Sequence, residues 1–193
     1  RLGDGSVYLL YIGGDVLGQK TFISQKLNSR FLYKEISKNK YAVYSWIQFD
    51  DEVKGYDKAT KTVMNIPGYI DGHKIEVIAE EFTRGCIGVS KVTIPNTVTE
   101  IRRGAFVYTK RIQSISISSS VKTIAADVFS GNNCLKFTVD SNNKYFQAIN
   151  GDLYSKDGKT LVSATGSSMT KIPSFVEVIG DDAFCGNDHI VDI

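Results

Sequence analysis

The chain has 193 residues, of which 42 % are hydrophobic and 23 % charged, and its formal net charge is +2. Such a composition is typical of a globular protein with room for a hydrophobic core. The small net charge argues against nucleic acid or an acidic membrane surface as a partner. The longest apolar run, VYLLYI from Val7, is far shorter than the roughly 20 residues of a membrane-spanning helix, so the sequence predicts no membrane insertion.

The chain begins at Arg1 without a charged-then-apolar leader, which is typical of a mature or trimmed protein, so targeting information is missing. Three cysteines, Cys86, Cys134 and Cys185, lie far apart. Their odd number and the absence of a C-x-x-C pair argue against a disulfide framework and against a zinc site. We expect all three to be buried as small apolar side chains.

The N-terminal segment, residues 1–62, shows no repeat and is rich in aromatic residues. Residues 6–17 suggest two strands around a Gly-Gly turn, residues 22–36 place apolar side chains at roughly helical spacing, and YAVYSWIQF from Tyr41 alternates as a strand does. The segment is therefore predicted to be a cap of mixed α/β character.

Two aromatic residues of this segment, Tyr44 and Trp46, suggest a second interpretation. Rings on a strand are usually core residues, but exposed rings also stack on sugars. Carbohydrate or cell-wall binding through Tyr44 and Trp46 therefore stays open as an alternative function.

The remaining chain repeats the same spacing of apolar residues three times, and a weaker copy starts at Asn65. The three copies share four apolar positions: Ile94, Ile117 and Ile172; Val98, Val121 and Val176; Ile101, Ile124 and Ile179; and Phe106, Phe129 and Phe184. In the weaker copy we assign the matching roles to Ile66, Pro67, Val77 and Phe82.

The first two full copies begin 23 residues apart, which is within the range of leucine-rich repeats. Alternation such as Ile115-Ser116-Ile117 predicts a half-buried strand. RRGAF and GDDAF are too short for stable helices and favour a single helical or 3₁₀ turn that points Ala and Phe inward. One such unit buries too little apolar surface to fold alone, so the units must stack.

A 32-residue insertion separates the last two copies. Within it, DLYS and TLVSA read as two strands joined at Asp157-Gly158, a hairpin signal. The hairpin is either a lateral decoration or a contact element. Asp140 to Asn143 hints at a cation loop, but without the Gly and distal Glu of an EF-hand it favours an Asx turn.

The pattern IPxxVxxIxxxAF followed by L/IxxIxI resembles the BspA-type leucine-rich repeat of bacterial and protozoan surface proteins, over residues 63–193. NGDLYSKDGKTLV also resembles a hairpin common in that family. The departures are Ser118 in place of Pro and Val128 in place of Ala. The resemblance implies a right-handed, β-rich leucine-rich-repeat solenoid with short helical or 3₁₀ turns, preceded by the aromatic-rich cap and carrying the β-hairpin near residues 140–170.

The resemblance also implies a secreted or cell-surface protein that adheres to host or matrix proteins. The outward strand residues form the candidate binding face: Lys91, Thr93, Ser114, Ser116, Lys136 and Thr138. Such an extended, regular surface suits a protein partner better than a small substrate. Besides glycan binding, a structural spacer in a longer surface protein is an alternative.

Nothing in the sequence points to an enzyme, a cofactor or a metal site. Of the two histidines, His73 is expected in a solvated turn, and His189 lies four residues after Cys185 without a second pair of ligands. The nucleotide-binding, hydrolase and metalloprotease motifs are absent. An enzyme built on the N-terminal segment is the remaining alternative.

The sequence ends with Ile190 and Ile193 just after the last copy, without a polar capping unit. A repeat array needs such a cap at its end. We therefore expect either that the native protein continues or that this end is covered by another copy in end-to-end self-association.

Overall fold

A computed structural model describes residues 22–23, 31–46, 62–84, 86, 88–107, 109, 112–132, 136–165 and 171–185. This part of the chain contains 15 β-strands joined by turns, and no helix occurs within it. The strands form three sheets, here called A, B and C.

Sheet A combines the N-terminal strands with the repeats. The first three strands pair antiparallel, and from the third strand onward the neighbours β3, β6, β8 and β10 are parallel. A short strand, β5, pairs with β6. The bounds are β1 Phe22–Ile23, β2 Phe31–Ser37, β3 Lys40–Trp46, β5 Tyr69–Ile70, β6 His73–Ile78, β8 Glu100–Ile101 and β10 Thr123–Ile124.

Sheet B is fully parallel and takes one strand from each successive copy, in the order β11-β9-β7-β4. Its strands alternate between buried apolar and more exposed polar side chains, as in the SISI strand, because one face packs on the core. The bounds are β4 Thr62–Asn65, β7 Val89–Thr93, β9 Ser114–Ile117 and β11 Lys136–Val139.

The main core contains apolar side chains from both sheet A and sheet B. Val92 and Ile115 project from sheet B, and Ile78 and Ile101 from sheet A, and each is fully buried. The column Phe82, Phe106 and Phe129 packs in the same core. Since burying one such side chain contributes about 1.5–3 kcal/mol, neighbouring copies stabilise each other through this shared interior.

The helical or 3₁₀ turns predicted at the Phe positions are not supported. Hydrogen-bonded turns stand there instead, at residues 80–84, 103–107, 126–131 and 181–185. Apart from Gly131 at the end of the third turn (φ 73°), each turn contains near its start one residue with a positive φ, which a right-handed helical turn excludes. These residues form a repeating position: Glu81 (53°), Gly104 (61°), Asp127 (52°) and Asp182 (58°).

In the weak first copy, Ile66 is aligned correctly with Ile94, but the alignment from Val77 onward is wrong by one residue. Ile78 pairs with Ile101, while Val77, to which the sequence analysis gave that role, pairs with Glu100. Val77 packs with Ala42 and Ala79 in a small cluster apart from the main core. Both Val77 and Ile78 are apolar, so the pattern alone did not separate them.

The insertion contributes three strands of sheet C, one more than the sequence indicated. β12 Phe146–Ile149 pairs with β13 Asp152–Ser155, which pairs in turn with β14 Thr160–Ser163, as the predicted hairpin requires. β14 then pairs in parallel with β15 Val178–Ile179 of the last copy. The insertion therefore supplies a strand for the last copy to pair with, in addition to forming a hairpin.

Backbone hydrogen bonds show this equivalence. Lys159 O accepts from the amides of residues 177 and 178, as Thr99 O does from those of residues 122 and 123. Leu161 O accepts from Gly180 N at 2.8 Å, as Ile101 O does from Ala125 N at 3.0 Å. β14 thus takes the position that a repeat strand holds elsewhere.

In the N-terminal segment, the helix considered for residues 22–36 is wrong, because Phe31–Ser37 is strand β2. It forms a hairpin with β3 through a turn in which Asn39 has a φ of 59°. The strand predicted from Tyr41 is confirmed up to Trp46. Residues 6–17 and the end of that predicted strand lie outside the described residues, and the division at residues 62 and 63 stays a prediction.

Candidate functional site

The six predicted face residues lie on three adjacent strands of sheet B and point away from the core. Parallel pairing in register arranges them in two rows across the sheet. One row is Lys91, Ser114 and Lys136, and the other is Thr93, Ser116 and Thr138. We call these six residues the polar face.

The spacing within the polar face follows from the sheet. Neighbouring strands lie about 4.8 Å apart, so the Cα atoms of Lys91 and Lys136, which flank Ser114, are about 10 Å apart. Thr138 Oγ1 donates a hydrogen bond to Ser116 Oγ at 3.0 Å. Strand β4 extends the rows by Val63 and Asn65, which are both exposed.

The polar face carries positive charge only. Lys91 and Lys136 are exposed, and among the described residues no carboxylate forms an ion pair with either of them. The other polar-face residues are hydroxyl side chains, which donate or accept hydrogen bonds. This arrangement favours a partner surface with carboxylates or other acceptors.

The insertion forms the border of the polar face at β11. Phe137 N donates to Gly151 O at 2.8 Å. A Cβ at residue 151 would lie 3.2 Å from Lys136 Cγ, so the glycine allows the lysine stem to pass close to the turn, and its φ of 99° also favours Gly. The position of Lys136 therefore depends on the insertion.

On sheet A, charges of both signs neutralise each other. Glu100 forms ion pairs with Arg102 at 2.8 Å and Lys40 at 3.1 Å. Burial alone would raise the pKa of Glu100, but the hydrogen bonds from Arg102 and Lys40 outweigh it and hold this pKa below its ordinary value. This surface offers less free charge than the polar face.

Four basic residues close in sequence, Arg102, Arg103, Lys110 and Arg111, form a local cluster whose described members are paired. Arg102 contacts Glu100, and Arg103 Nε donates to Asp127 Oδ2 at 3.0 Å, which raises the pKa of Arg103. Lys110 and Arg111 lie outside the described residues.

The two aromatic residues of the sugar-binding alternative occupy different environments. Trp46 is only 7 % exposed and packs in the main core. Tyr44 is half-buried, and the Lys34 ammonium lies 5.6 Å from the centre of its ring. This leaves little of the Trp46 ring for stacking on a sugar, while glycan binding itself stays a prediction.

His73 was expected to be a solvated turn residue, and this is wrong. It is the first residue of β6, and its ring stacks on Tyr41 with 4.2 Å between centroids and lies 5.8 Å from Tyr33. The Tyr33 hydroxyl donates to Asp71 Oδ2 at 3.1 Å, and burial, followed by this carboxylate, raises the pKa of Tyr33 to about 12.

The cysteines differ from one another. Cys86 is half-buried, and its burial raises its pKa to about 12, which keeps the thiol protonated and unreactive. Cys185 is exposed, so the expectation of burial is wrong for it. Cys134 and His189 lie outside the described residues.

One set of polar residues holds the repeats together and was missed by the sequence analysis. Asn132, three residues after Phe129, is buried and donates to Phe106 O at 2.6 Å and to Phe129 O at 2.8 Å. Its Oδ1 accepts from the Thr109 hydroxyl at 2.7 Å, and Thr109 is three residues after Phe106. The signal was a polar residue three positions after each of these two Phe residues.

Asn143 links backbone segments in a similar way at the start of the insertion. Its amide donates to Ser118 O and Val121 O, and its Oδ1 accepts from the backbone N–H groups of Tyr145 and Phe146. The Asx turn predicted for Asp140 to Asn143 is confirmed, because Asn142 N donates to Asp140 Oδ1 at 2.9 Å.

The described residues contain neither a metal-ligand cluster nor a membrane-spanning helix. No group of three or more His, Cys, Asp or Glu side chains in this part of the chain is arranged to hold a metal ion. Within the same residues, no helix has the length and apolar character needed to cross a membrane.

Comparison with protein families identifies the repeat. The family described as BspA type leucine rich repeat region matches residues 70–191 in six copies. The chain therefore belongs to this family, which confirms the resemblance seen in the sequence. Four of these copies are recognisable in the sequence alone. A comparison with the curated proteins finds no match.

Three solved structures are similar to this chain at low identity. A leucine-rich repeat protein from Eubacterium ventriosum is 21 % identical over 86 % of this chain and 58 % of its own, with a TM-score of 0.43. The pneumococcal vaccine antigen PcpA is 14 % identical over 89 % of this chain and 63 % of its own, with a TM-score of 0.36.

The third is a leucine rich cell surface protein from Faecalibacterium prausnitzii, 13 % identical over 81 % of this chain and 65 % of its own, with a TM-score of 0.31. The chain thus spans about three fifths of the length of these proteins.

Proposed function

We propose that this chain is a non-enzymatic recognition module that binds other proteins through the polar face. The partner class is a host or matrix protein, and the mode is adhesion. The repeats form a right-handed solenoid, and residues 1–62 act as its N-terminal cap.

The observation that carries this proposal is the register of sheet B. It gathers two exposed lysines and four hydroxyl side chains, from positions up to 47 residues apart, into one regular surface. Extended surfaces of this kind are what repeat proteins use for binding macromolecules. Every second residue of these strands, such as Val92 and Ile115, is buried in the core, and this packing keeps the surface rigid before binding.

We further propose that the protein is secreted or displayed at the cell surface. Support comes from its membership of the BspA-type family and from the resemblance of its repeats to those of surface proteins. In this setting the repeats act either as the binding element itself or as a spacer within a longer surface protein.

The test is binding of the purified chain to a panel of extracellular-matrix proteins and to cells. We expect saturable binding to at least one of them. The double charge reversal Lys91→Glu with Lys136→Glu should lower this affinity at least tenfold, largely through slower association, because surface charges mainly steer the encounter.

The matched control is Lys38→Glu with Lys122→Glu, which changes the net charge equally at two exposed positions outside sheet B. We expect the control to bind as the wild type does. Equal losses in both variants would show that only net charge matters. Unchanged binding in both would move the site to the hairpin insertion or the N-terminal segment.

The alternatives give different results in the same series. A glycan array on which Tyr44→Ala abolishes binding would favour the carbohydrate interpretation, and turnover in a broad hydrolase screen would favour an enzyme. Absence of any partner, together with concentration-dependent light scattering, would favour end-to-end self-association.

A further inference from the structure

The sequence contains one Asn-Gly pair, Asn150-Gly151. It forms the turn between β12 and β13, where Ile149 pairs with Asp152. The φ angles of 55° and 99° are those of a tight hairpin turn with both central residues left-handed. We propose that Asn150 is a site of spontaneous deamidation, which turns a neutral hairpin tip beside the polar face into an acidic one.

The reaction needs no enzyme and no co-reactant except water. The backbone nitrogen of Gly151, having lost its proton to base, attacks the side-chain Cγ of Asn150. The new N–Cγ bond closes a succinimide ring, and the bond from Cγ to the side-chain nitrogen breaks and releases ammonia. Water then opens the ring at either carbonyl and gives aspartate or isoaspartate at position 150.

Neither reacting group is held by a hydrogen bond within the described residues, although Gly151 itself is buried. Asn150 is exposed, and its side-chain amide forms no hydrogen bond with the described residues. In the same part of the chain the Gly151 N–H donates to no acceptor, while the Gly151 carbonyl is held by Phe137 N. Without a Cβ, Gly151 also places the least steric hindrance on ring closure.

Two similar pairs in the described residues are held in place and serve as internal comparisons. At Asp157-Gly158, the carboxylate accepts from the Ser155 hydroxyl at 2.6 Å and from Lys159 N, and Gly158 N donates to Ser155 O at 2.9 Å. At Asp71-Gly72, the carboxylate accepts from the Tyr33 hydroxyl. These hydrogen bonds restrain the carboxylates, and a carboxylate is also a poorer electrophile than an amide.

The new carboxylate would appear next to Lys136, whose stem passes Gly151. It would reduce the positive potential of the polar face, and isoaspartate would in addition lengthen the backbone of a turn whose register is fixed. This effect on binding depends on the proposed function, whereas the modification itself does not.

The experiment follows the folded 193-residue chain in mildly alkaline buffer by peptide mapping and mass spectrometry. We expect Asn150 to convert to aspartate and isoaspartate before any other described Asn, at a rate that rises with pH, while residues 71 and 157 show no isoaspartate. Conversion in the urea-unfolded chain but not in the native chain would overturn the proposal, as would earlier conversion of another described Asn.

The effect on binding has its own test. Asn150→Asp should weaken binding to the partner of the polar face, and Asn150→Gln, which keeps the amide, should not. If Asn150 deamidates but Asn150→Asp binds normally, Asn150 is confirmed as a modification site, and its proposed effect on binding by the polar face is refuted. If the Lys91 and Lys136 variants also bind normally, the proposed function fails independently.

Discussion

The rings of Phe106 and Phe129 lie parallel, with 6.0 Å between their centroids and 4° between their planes. Phe82 meets Phe106 edge-on instead, at 88° and 5.9 Å. The register explains the difference: Thr83 N donates to Ala105 O just as Phe106 N donates to Val128 O, so Thr83, and not Phe82, occupies the position equivalent to Phe106. The ring of Phe82 therefore enters the column from the residue that precedes the position equivalent to Phe106.

The Phe column should dominate stability. Phe106→Ala removes a fully buried ring between two aromatic neighbours, and we expect a loss of about 3–5 kcal/mol in the free energy of unfolding. Urea denaturation measures it. The control is Phe175→Ala, because that ring is 47 % exposed and its loss should have a much smaller effect. Equal effects would contradict a stacked core.

The Asn132 contacts predict a second stability effect. Asn132→Ala leaves the buried Phe129 carbonyl without its donor and weakens the contacts of Phe106 O, so we expect a loss of about 1–3 kcal/mol. The control Asn142→Ala changes an exposed side chain whose backbone alone makes the local contact. If thermal unfolding shifts equally in both variants, Asn132 does not link the copies.

The sequence predicted the strand alternation that the copies share, but it missed the Thr109 and Asn132 contacts, the form of the turns at the Phe positions and features that occur once. The alternation of β7, β9 and β11 placed the polar face correctly on one sheet, because a period of two leaves only one arrangement that buries Val92 and Ile115. The first copy contains adjacent apolar residues, Val77 and Ile78, and pairing with β8 rather than hydrophobicity decides between them.

Tertiary contacts explain the other errors. Residues 31–37 have side chains compatible with a helix, but pairing with β3 and β1 makes them a strand. The role of β14 as a partner of β15 depends on a parallel pairing between a strand of the insertion and a strand of the last copy. No short-range signal in the sequence encodes such a pairing.

Glu100 should make stability depend on pH in acid. Because its folded-state pKa is lowered by Arg102 and Lys40, its ion pairs stabilise the fold above the ordinary carboxyl pKa, and this contribution is lost as pH falls through the lowered value. Glu100→Gln should therefore be less stable than wild type at neutral pH, by about 1 kcal/mol or less, and equal to it in strong acid. A difference that does not change with pH would contradict this.

Asp152 should act with the opposite sign. It is buried, and burial raises its pKa despite hydrogen bonds from the Thr165 backbone and hydroxyl. Between the ordinary and the raised pKa the folded state binds more protons than the unfolded state, so stability falls as pH rises through that range. Asp152→Asn keeps Oδ1 as an acceptor and should be at least as stable as wild type at neutral pH.

Denaturation curves at several pH values measure this effect, with Asp181→Asn as the control at an exposed carboxylate. A strong loss of stability in Asp152→Asn at neutral pH would show that the charged form is the one the fold requires.

The most direct measurement of the central claim is cross-linking of the native chain with a short amine-reactive reagent, read by mass spectrometry. Pairing in register brings Lys91 and Lys136 side by side across Ser114, although 45 residues separate them in the sequence. We predict a cross-link between these two lysines that is lost in urea. If this link is absent under conditions in which Lys156 and Lys159 react with each other, the strands do not stack in this register and the polar face does not exist as one surface.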